Sequence, residues 1–163
     1  MEDIDAVLSV VQRIQEVSER PPGKKTLQKL IYLIEEAGNP FGFKYGIHFY
    51  GPYSADLDYT IKYLNSYNQL FIEITPTEHR ISVICNIEEL PKLSEIADRI
   101  IVRYGHKSPS ELELLATALY VQRAIDSSDN SKIIYGVQRI KGCKYSEDII
   151  VSAVMELRSD SFF

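Results

Sequence analysis

The sequence is poor in the residues that build metal centres, disulfide frameworks and membrane spans. Its three histidines are far apart, and its two cysteines, Cys85 and Cys143, form no CxxC pair. No apolar run approaches the roughly 18 residues of a membrane helix, and the acidic N-terminus lacks the pattern of a signal peptide. We therefore expect no metal, no cofactor and no membrane association, and a cytoplasmic protein whose thiols are reduced.

The chain also lacks the basic excess that is typical of nucleic-acid-binding domains. It has 18 lysines and arginines against 23 aspartates and glutamates, a net charge of −5 and a pI near 5.2. Domains that bind nucleic acids often have a pI above about 9. Motifs for phosphate loops and for a Ser-His-Asp triad are missing as well. We predict a protein that is not an enzyme and has no catalytic residues.

Apolar periodicity predicts a mainly α protein with a small β part. The N-terminal half reads as helix, helix, strand, helix and a two-stranded hairpin, which is the order of a winged helix. Four more helices follow, one of them opened by a capping box over residues 108–111. We predict a winged-helix-like region over residues 1–86 and a helical region over residues 87–163. No linker separates them, which allows one shared core.

The predicted third helix follows a sharp change of direction. A short strand is expected between Tyr45 and Tyr50, and Gly51 and Pro52 are expected to turn the chain after it. Glycine allows backbone angles that other residues avoid, and proline fixes its own φ. Ser54 then has the position of an N-cap for the helix.

Two short stretches of the sequence resemble a known family. Residues 26–33 read TLQKLIYL, and residues 49–54 read FYGPYS. This pair resembles the Panacea domain family of SocA-like, antitoxin-associated domains, particularly its YwgA-like relatives. Residues 112–120, LELLATALY, resemble a helix of those relatives. The resemblance implies a non-catalytic domain that acts through protein partners, including toxins.

The third helix carries tyrosines on one side. At about 100° per residue, one side is apolar and another carries an acidic residue and three tyrosines: Asp56, Tyr59, Tyr63 and Tyr67. Together with Tyr53, which precedes the helix, we interpret these residues as a partner-binding surface. Tyrosine offers a large, fairly rigid contact area with a polar tip and is enriched at interface hot spots. The alternative is that the C-terminal helices cover these tyrosines.

DNA binding is the first rival function. The candidate nucleic-acid contacts are five basic residues: Lys24, Lys25, Lys29, Lys62 and Arg80. The third helix itself is a poor reader of a major groove, because Asp56 and Asp58 in its first turn would repel phosphates. We expect DNA binding to be weak.

A helical ribonuclease is the second rival. Arg99 and His106 resemble the Arg-x(4–6)-His pair of HEPN-type ribonucleases. The leading prediction remains a non-enzymatic interaction module, an antitoxin-like or adaptor-like regulator. Its partner is expected to be a toxin, a protease-adaptor target or a second copy of the chain, which would give a homodimer.

Overall fold

The computed structural model describes residues 2–163. Over this range the chain forms seven α-helices, one short 3₁₀ helix and two antiparallel two-stranded sheets. The N-terminal elements are α1 (Glu2–Ser18), α2 (Lys24–Glu36), β1 (Gly46–His48), β2 (Gly51–Tyr53), α3 (Ala55–Ser66), β3 (Leu70–Ile74) and β4 (His79–Val83). The 3₁₀ helix (Ile87–Glu89) precedes α4 (Glu95–Tyr104), α5 (Pro109–Ile125), α6 (Asn130–Lys141) and α7 (Glu147–Ser159). The prediction of a mainly α protein with a small β part is confirmed.

Helix starts follow the capping residues in the sequence. The Ser54 hydroxyl accepts a hydrogen bond from the Leu57 N–H, as expected of an N-cap. At the start of α5, Ser108 and Glu111 form both hydrogen bonds of a capping box, with Pro109 in the first helical position. These bonds satisfy N–H groups that have no partner within the helix.

The prediction of a turn at Gly51 and Pro52 was wrong. The chain reverses two residues earlier, at Phe49 and Tyr50, and β1 and β2 form a hairpin in which His48 is opposite Gly51. Gly51 has a φ of +88°, so its conformational freedom is needed within the strand next to the loop. Pro52 fits there because a strand in a two-stranded sheet can leave a donor position unused.

The second hairpin has the expected strands, with Leu70 opposite Val83 and Ile74 opposite His79. Within residues 2–163, β1 pairs only with β2, and β3 pairs only with β4 among the named strands. The winged-helix-like arrangement of the N-terminal half is therefore not confirmed.

The core joins the two halves of the chain. Every residue from 26 to 34 in α2 is buried, and α2 contacts β2, β4, α4 and α5. Buried side chains of α1 and α3 belong to the same hydrophobic cluster as those of α5, α6 and α7. Within the described part of the chain, no helix has the length and apolar character needed to cross a membrane.

Candidate functional site

The two stretches that carry the family resemblance contact each other. The Gln28 side-chain amide donates to the Ser54 carbonyl at 2.9 Å, and the Ser54 N–H donates to the Gln28 Oε1 at 2.9 Å. The adjacent Lys29 Nζ donates to the Pro52 carbonyl at 2.6 Å. All three bonds are buried, so α2 fixes the position of the hairpin and the start of α3.

Lys29 is a buried cation, with only 3% of its surface exposed. Burial lowers its pKa to about 8. The Glu113 carboxylate opposes this shift, whereas the charges of Lys141 and Lys25 lower the pKa further. Lys29 therefore lies near two other lysines, Lys25 and Lys141, and one carboxylate, that of Glu113.

Glu113 is the anion of this group. Its carboxylate forms ion pairs with Lys141 Nζ at 2.5 Å and with Lys144 Nζ at 2.8 Å. Burial would raise the pKa of Glu113, but the hydrogen bonds from the two ammonium groups hold it below its ordinary value. Lys141 also donates to the Phe49 carbonyl at 2.9 Å. The Lys141 ammonium group, at the end of α6, thus connects the Glu113 carboxylate on α5 to the loop of the first hairpin.

Two adjoining cavities lie beside these residues. The first, the lysine pocket, has a volume of about 320 Å³ and is lined by Lys25, Lys29, Tyr50, Pro109, Ser110, Glu113 and Lys144. The second, the aromatic pocket, has a volume of about 260 Å³ and is lined by Lys24, Lys25, Gln28, Lys29, His48, Phe49, Tyr50, Gly51 and Tyr53. Lys25, Lys29 and Tyr50 line both, and the Lys25 ammonium is 3.5 Å from the centre of the Tyr50 ring.

A second charge cluster connects α2 to α3. Asp58 is buried and forms ion pairs with Lys24 at 2.5 Å and with Lys62 at 2.9 Å. Burial would raise the pKa of Asp58, but the two ammonium groups and the Tyr53 hydroxyl hold it below its ordinary value. The Asp58 charge is therefore compensated within the chain.

Tyr59 and Tyr63 of α3, and Tyr67 at its C-cap, face solvent. Tyr59 is 71% exposed, Tyr63 is 39% exposed and Tyr67 is 62% exposed. The rings of Tyr63 and Tyr67 touch, with centres 4.5 Å apart. Asp56 is also exposed, and we refer to these four residues as the tyrosine face. Tyr53 is half-buried instead, with its ring 4.7 Å from that of His48.

The five basic residues considered for DNA binding have different surroundings. Lys24 and Lys62 pair with Asp58, and Arg80 pairs with Glu78 at 2.8 Å. Lys29 is buried, and Lys25 lies over the Tyr50 ring.

The two residues of the ribonuclease hypothesis are on the surface. Arg99 is exposed on α4. His106 is also exposed and follows the end of that helix at Tyr104.

The sequence pattern did not identify Glu113, Lys141 or Lys144. Glu113 is separated by 28 residues from Lys141 and by 31 residues from Lys144, so no local spacing connects them. The available signal was an acidic residue inside the apolar run of α5, because a buried carboxylate needs a cationic partner.

No protein-family model matches the chain. The chain is similar to the uncharacterized protein YwgA of Bacillus subtilis (strain 168), with 29% identity over 140 residues. The match covers 77% of this chain and 81% of that protein. A YwgA-like relative is thus found, as the resemblance of residues 26–33 and 49–54 implied.

Proposed function

We propose that the protein is a non-enzymatic interaction module that binds a protein partner through the tyrosine face. The exposure of Tyr59, Tyr63 and Tyr67 along one side of α3 carries this proposal. Exposed aromatic rings that lie together on a helix are typical of binding surfaces, because covering them removes a large apolar area from water. The resemblance to the Panacea domains favours an antitoxin-like or adaptor-like regulator.

The tyrosine face is supported by a rigid base. Ser54 caps α3 and is held by Gln28 of α2, and Asp58 joins α3 to α2 through Lys24. The contact between the Tyr63 and Tyr67 rings also restricts both side chains. Side chains that are ordered before binding lose less conformational entropy in the complex, which favours affinity.

The charges of the face indicate what a partner should carry. Asp56 is exposed, and no ion pair to it is found among residues 4–163. A partner segment with an arginine or lysine beside an apolar patch would complement both Asp56 and the rings. A toxin, a protease-adaptor target or a second copy of the chain could present such a segment.

DNA binding has weaker support from the structure. A winged-helix-like reader needs free cations toward the phosphates, whereas Lys24, Lys62 and Arg80 already have carboxylate partners and Lys29 is buried. The ribonuclease alternative has only the exposed pair Arg99 and His106. Arg99 lines a cavity together with Arg103 and Asp160, and His106 does not line that cavity.

The test is a Tyr59→Ala, Tyr63→Ala double variant, compared with the wild type and with Tyr135→Ala. Tyr135 is 63% exposed on α6, which makes it a matched control on another surface. Tagged proteins are recovered from native cells, co-purifying proteins are quantified by mass spectrometry, and self-association is measured by sedimentation. We expect recovery of the specific partner to fall at least about tenfold in the double variant, as for interface hot spots, and to be retained in Tyr135→Ala.

Stability separates a binding role from a packing role. Substitutions on the surface usually change the free energy of unfolding by less than about 0.5 kcal/mol, whereas a buried aromatic residue cut to alanine costs about 3–5 kcal/mol. We expect the free energy of unfolding of the double variant to remain within about 1 kcal/mol of the wild-type value. This allowance exceeds the usual surface effect because Tyr63 is partly covered. Equal partner recovery by all three proteins, or a loss of several kcal/mol, would contradict the proposal.

A further inference from the structure

The lysine pocket contains more cationic donors than the surrounding protein can satisfy. Lys25, Lys29 and Lys144 line it, and Glu113 is the one acidic residue among the seven residues of its lining. Among the residues that the structure describes, Lys29 Nζ has one hydrogen-bond partner, the Pro52 carbonyl, and Lys25 Nζ faces the Tyr50 ring. An ammonium group has three N–H donors, so several of them remain available to a bound acceptor.

Glu113 does not balance these charges. Its Oε1 already accepts hydrogen bonds from Lys141 and Lys144, and its Oε2 accepts a second one from Lys144. Its charge is therefore shared with Lys141, a fourth cation beside the pocket. Four lysines against one glutamate leave a formal excess of three positive charges in a protein whose net charge is −5.

The aromatic pocket provides a different environment directly beside these cations. The rings of His48, Phe49, Tyr50 and Tyr53 contribute to its walls. Phe49 is 82% exposed, and its ring is 5.0 Å from that of Tyr50. An apolar group placed against these rings would remove their faces from water.

We propose that the two pockets together bind a small amphipathic anion, with its carboxylate at Lys25, Lys29 and Lys144 and its apolar group against Phe49 and Tyr50. Cationic and apolar walls that adjoin match a ligand with both characters. A carboxylate joined directly to an apolar group suits two pockets whose linings share Lys25, Lys29 and Tyr50. The volume of the two cavities is in the range of small-ligand sites.

Two sources share this chemistry: a free aryl or alkyl carboxylic acid, and the C-terminal residue of a peptide with an apolar side chain. Neither source requires the tyrosine face. The anion site is therefore independent of the proposed protein partner, and an experiment can contradict one of the two proposals without contradicting the other.

The test uses calorimetric titrations with five probes. Phenylacetate carries both groups, 2-phenylethanol lacks the anion, inorganic phosphate lacks the apolar group, and a Gly-Gly-Phe peptide is compared with its C-terminal amide. We expect saturable binding of one phenylacetate per chain, at least about tenfold tighter than the alcohol or phosphate, since a hydrogen bond to a charged group contributes on this scale. Binding of the free peptide but not of its amide, tighter than phenylacetate, would assign the site to a chain end.

Variants connect the binding to the pocket. Lys25→Gln and Lys144→Gln change residues that are exposed enough to leave the fold intact, and each should weaken phenylacetate binding about tenfold. Lys132→Gln, at an exposed lysine of α6, is the control and should bind as the wild type does. Absent binding, equal affinity for the alcohol or for phosphate, or equal affinity in all variants would overturn the proposal. Duplex DNA binding lost in the two pocket variants, without any binding of the acid, would overturn it in favour of a nucleic-acid contact.

Discussion

At the scale of single residues, Lys29 shows how burial and local charge act on one side chain. Its stem lies among the apolar residues of α2, and its ammonium group donates to the Pro52 carbonyl. Burial favours the neutral amine, Glu113 favours the ammonium form, and the charges of Lys141 and Lys25 oppose it. The ammonium form is therefore less stable in the folded chain than in water, which is what a pKa of about 8 expresses.

This shift predicts a pH dependence of stability. Between about 8, the pKa in the folded protein, and the ordinary value of 10.5, the unfolded chain binds more protons at Lys29 than the folded chain does. The free energy of unfolding therefore rises with pH in this window. We expect the stability of the wild type relative to Lys29→Met to increase by about 1–2 kcal/mol from pH 7.5 to 9.5, measured by urea unfolding.

The control for this prediction is Lys132→Met, which removes an exposed lysine. Its difference from the wild type should stay constant over the same pH range, because its ammonium group remains in water in both states. A constant difference for Lys29→Met as well would mean that water reaches the Lys29 ammonium group.

At the scale of elements, the first hairpin is the most closely fitted part of the candidate site. A Cβ atom at Gly51 would lie 2.8 Å from Thr117 Oγ1 and 3.4 Å from the Glu113 carbonyl, so β2 rests directly on α5. Its φ of +88° is also unfavourable for any other residue. Two independent reasons thus require glycine at this position.

We expect Gly51→Ala to destabilise the protein by about 1–3 kcal/mol, the scale of one strained backbone position or one overpacked contact. Gly46→Ala is the matched control in the same hairpin, since no atom lies within 4 Å of its added Cβ and its φ is ordinary. Thermal unfolding of both variants checks this, and equal melting temperatures would show that the contact between β2 and α5 can relax.

The elements that the sequence predicted are those with local signals. Capping residues such as Ser54 and the box at Ser108 act within four residues, so they could be recognised from the sequence alone. The first hairpin was misplaced because its loop, Phe49 and Tyr50, contains none of the usual turn residues, whereas the adjacent Gly51 and Pro52 do. There the contact with α5 decides the conformation, and this contact is not local in sequence.

At the scale of the whole molecule, ion pairs between residues that are distant in sequence could not be predicted either. The sequence predicted an acidic protein with scattered cations, but it could not show that Asp58 and Glu113 each form ion pairs with two lysines. Asp58 and Lys62 are one turn apart on α3, but the other three pairs join residues that are distant in sequence. The tyrosine face could be predicted because it needs only the periodicity of one helix. The two pockets need the packing of α2, α5, the first hairpin and the segment after α6 that carries Lys144.

The charge distribution also predicts weak and unspecific DNA binding. Titration against a pool of random duplexes at about 50 mM and 200 mM salt should show low affinity that falls steeply with salt, because phosphate contacts release counterions. Lys25→Glu, which reverses an exposed charge, should abolish this residual binding, whereas Lys132→Glu should change it little. Selection of a specific site with submicromolar affinity would contradict this prediction.

The position of α2 determines how the molecule loses its structure. Elements of both halves bury residues 26–34, so unfolding of either half would expose the apolar side chains of α2 to water. A half-folded intermediate would keep the ordering cost of one half and lose much of the burial that offsets it. Folding is therefore expected to be cooperative, with native and fully unfolded chains in equilibrium and little between them. Resistance to proteases is then set by global unfolding of the whole chain, and not by local opening at the boundary between its two halves.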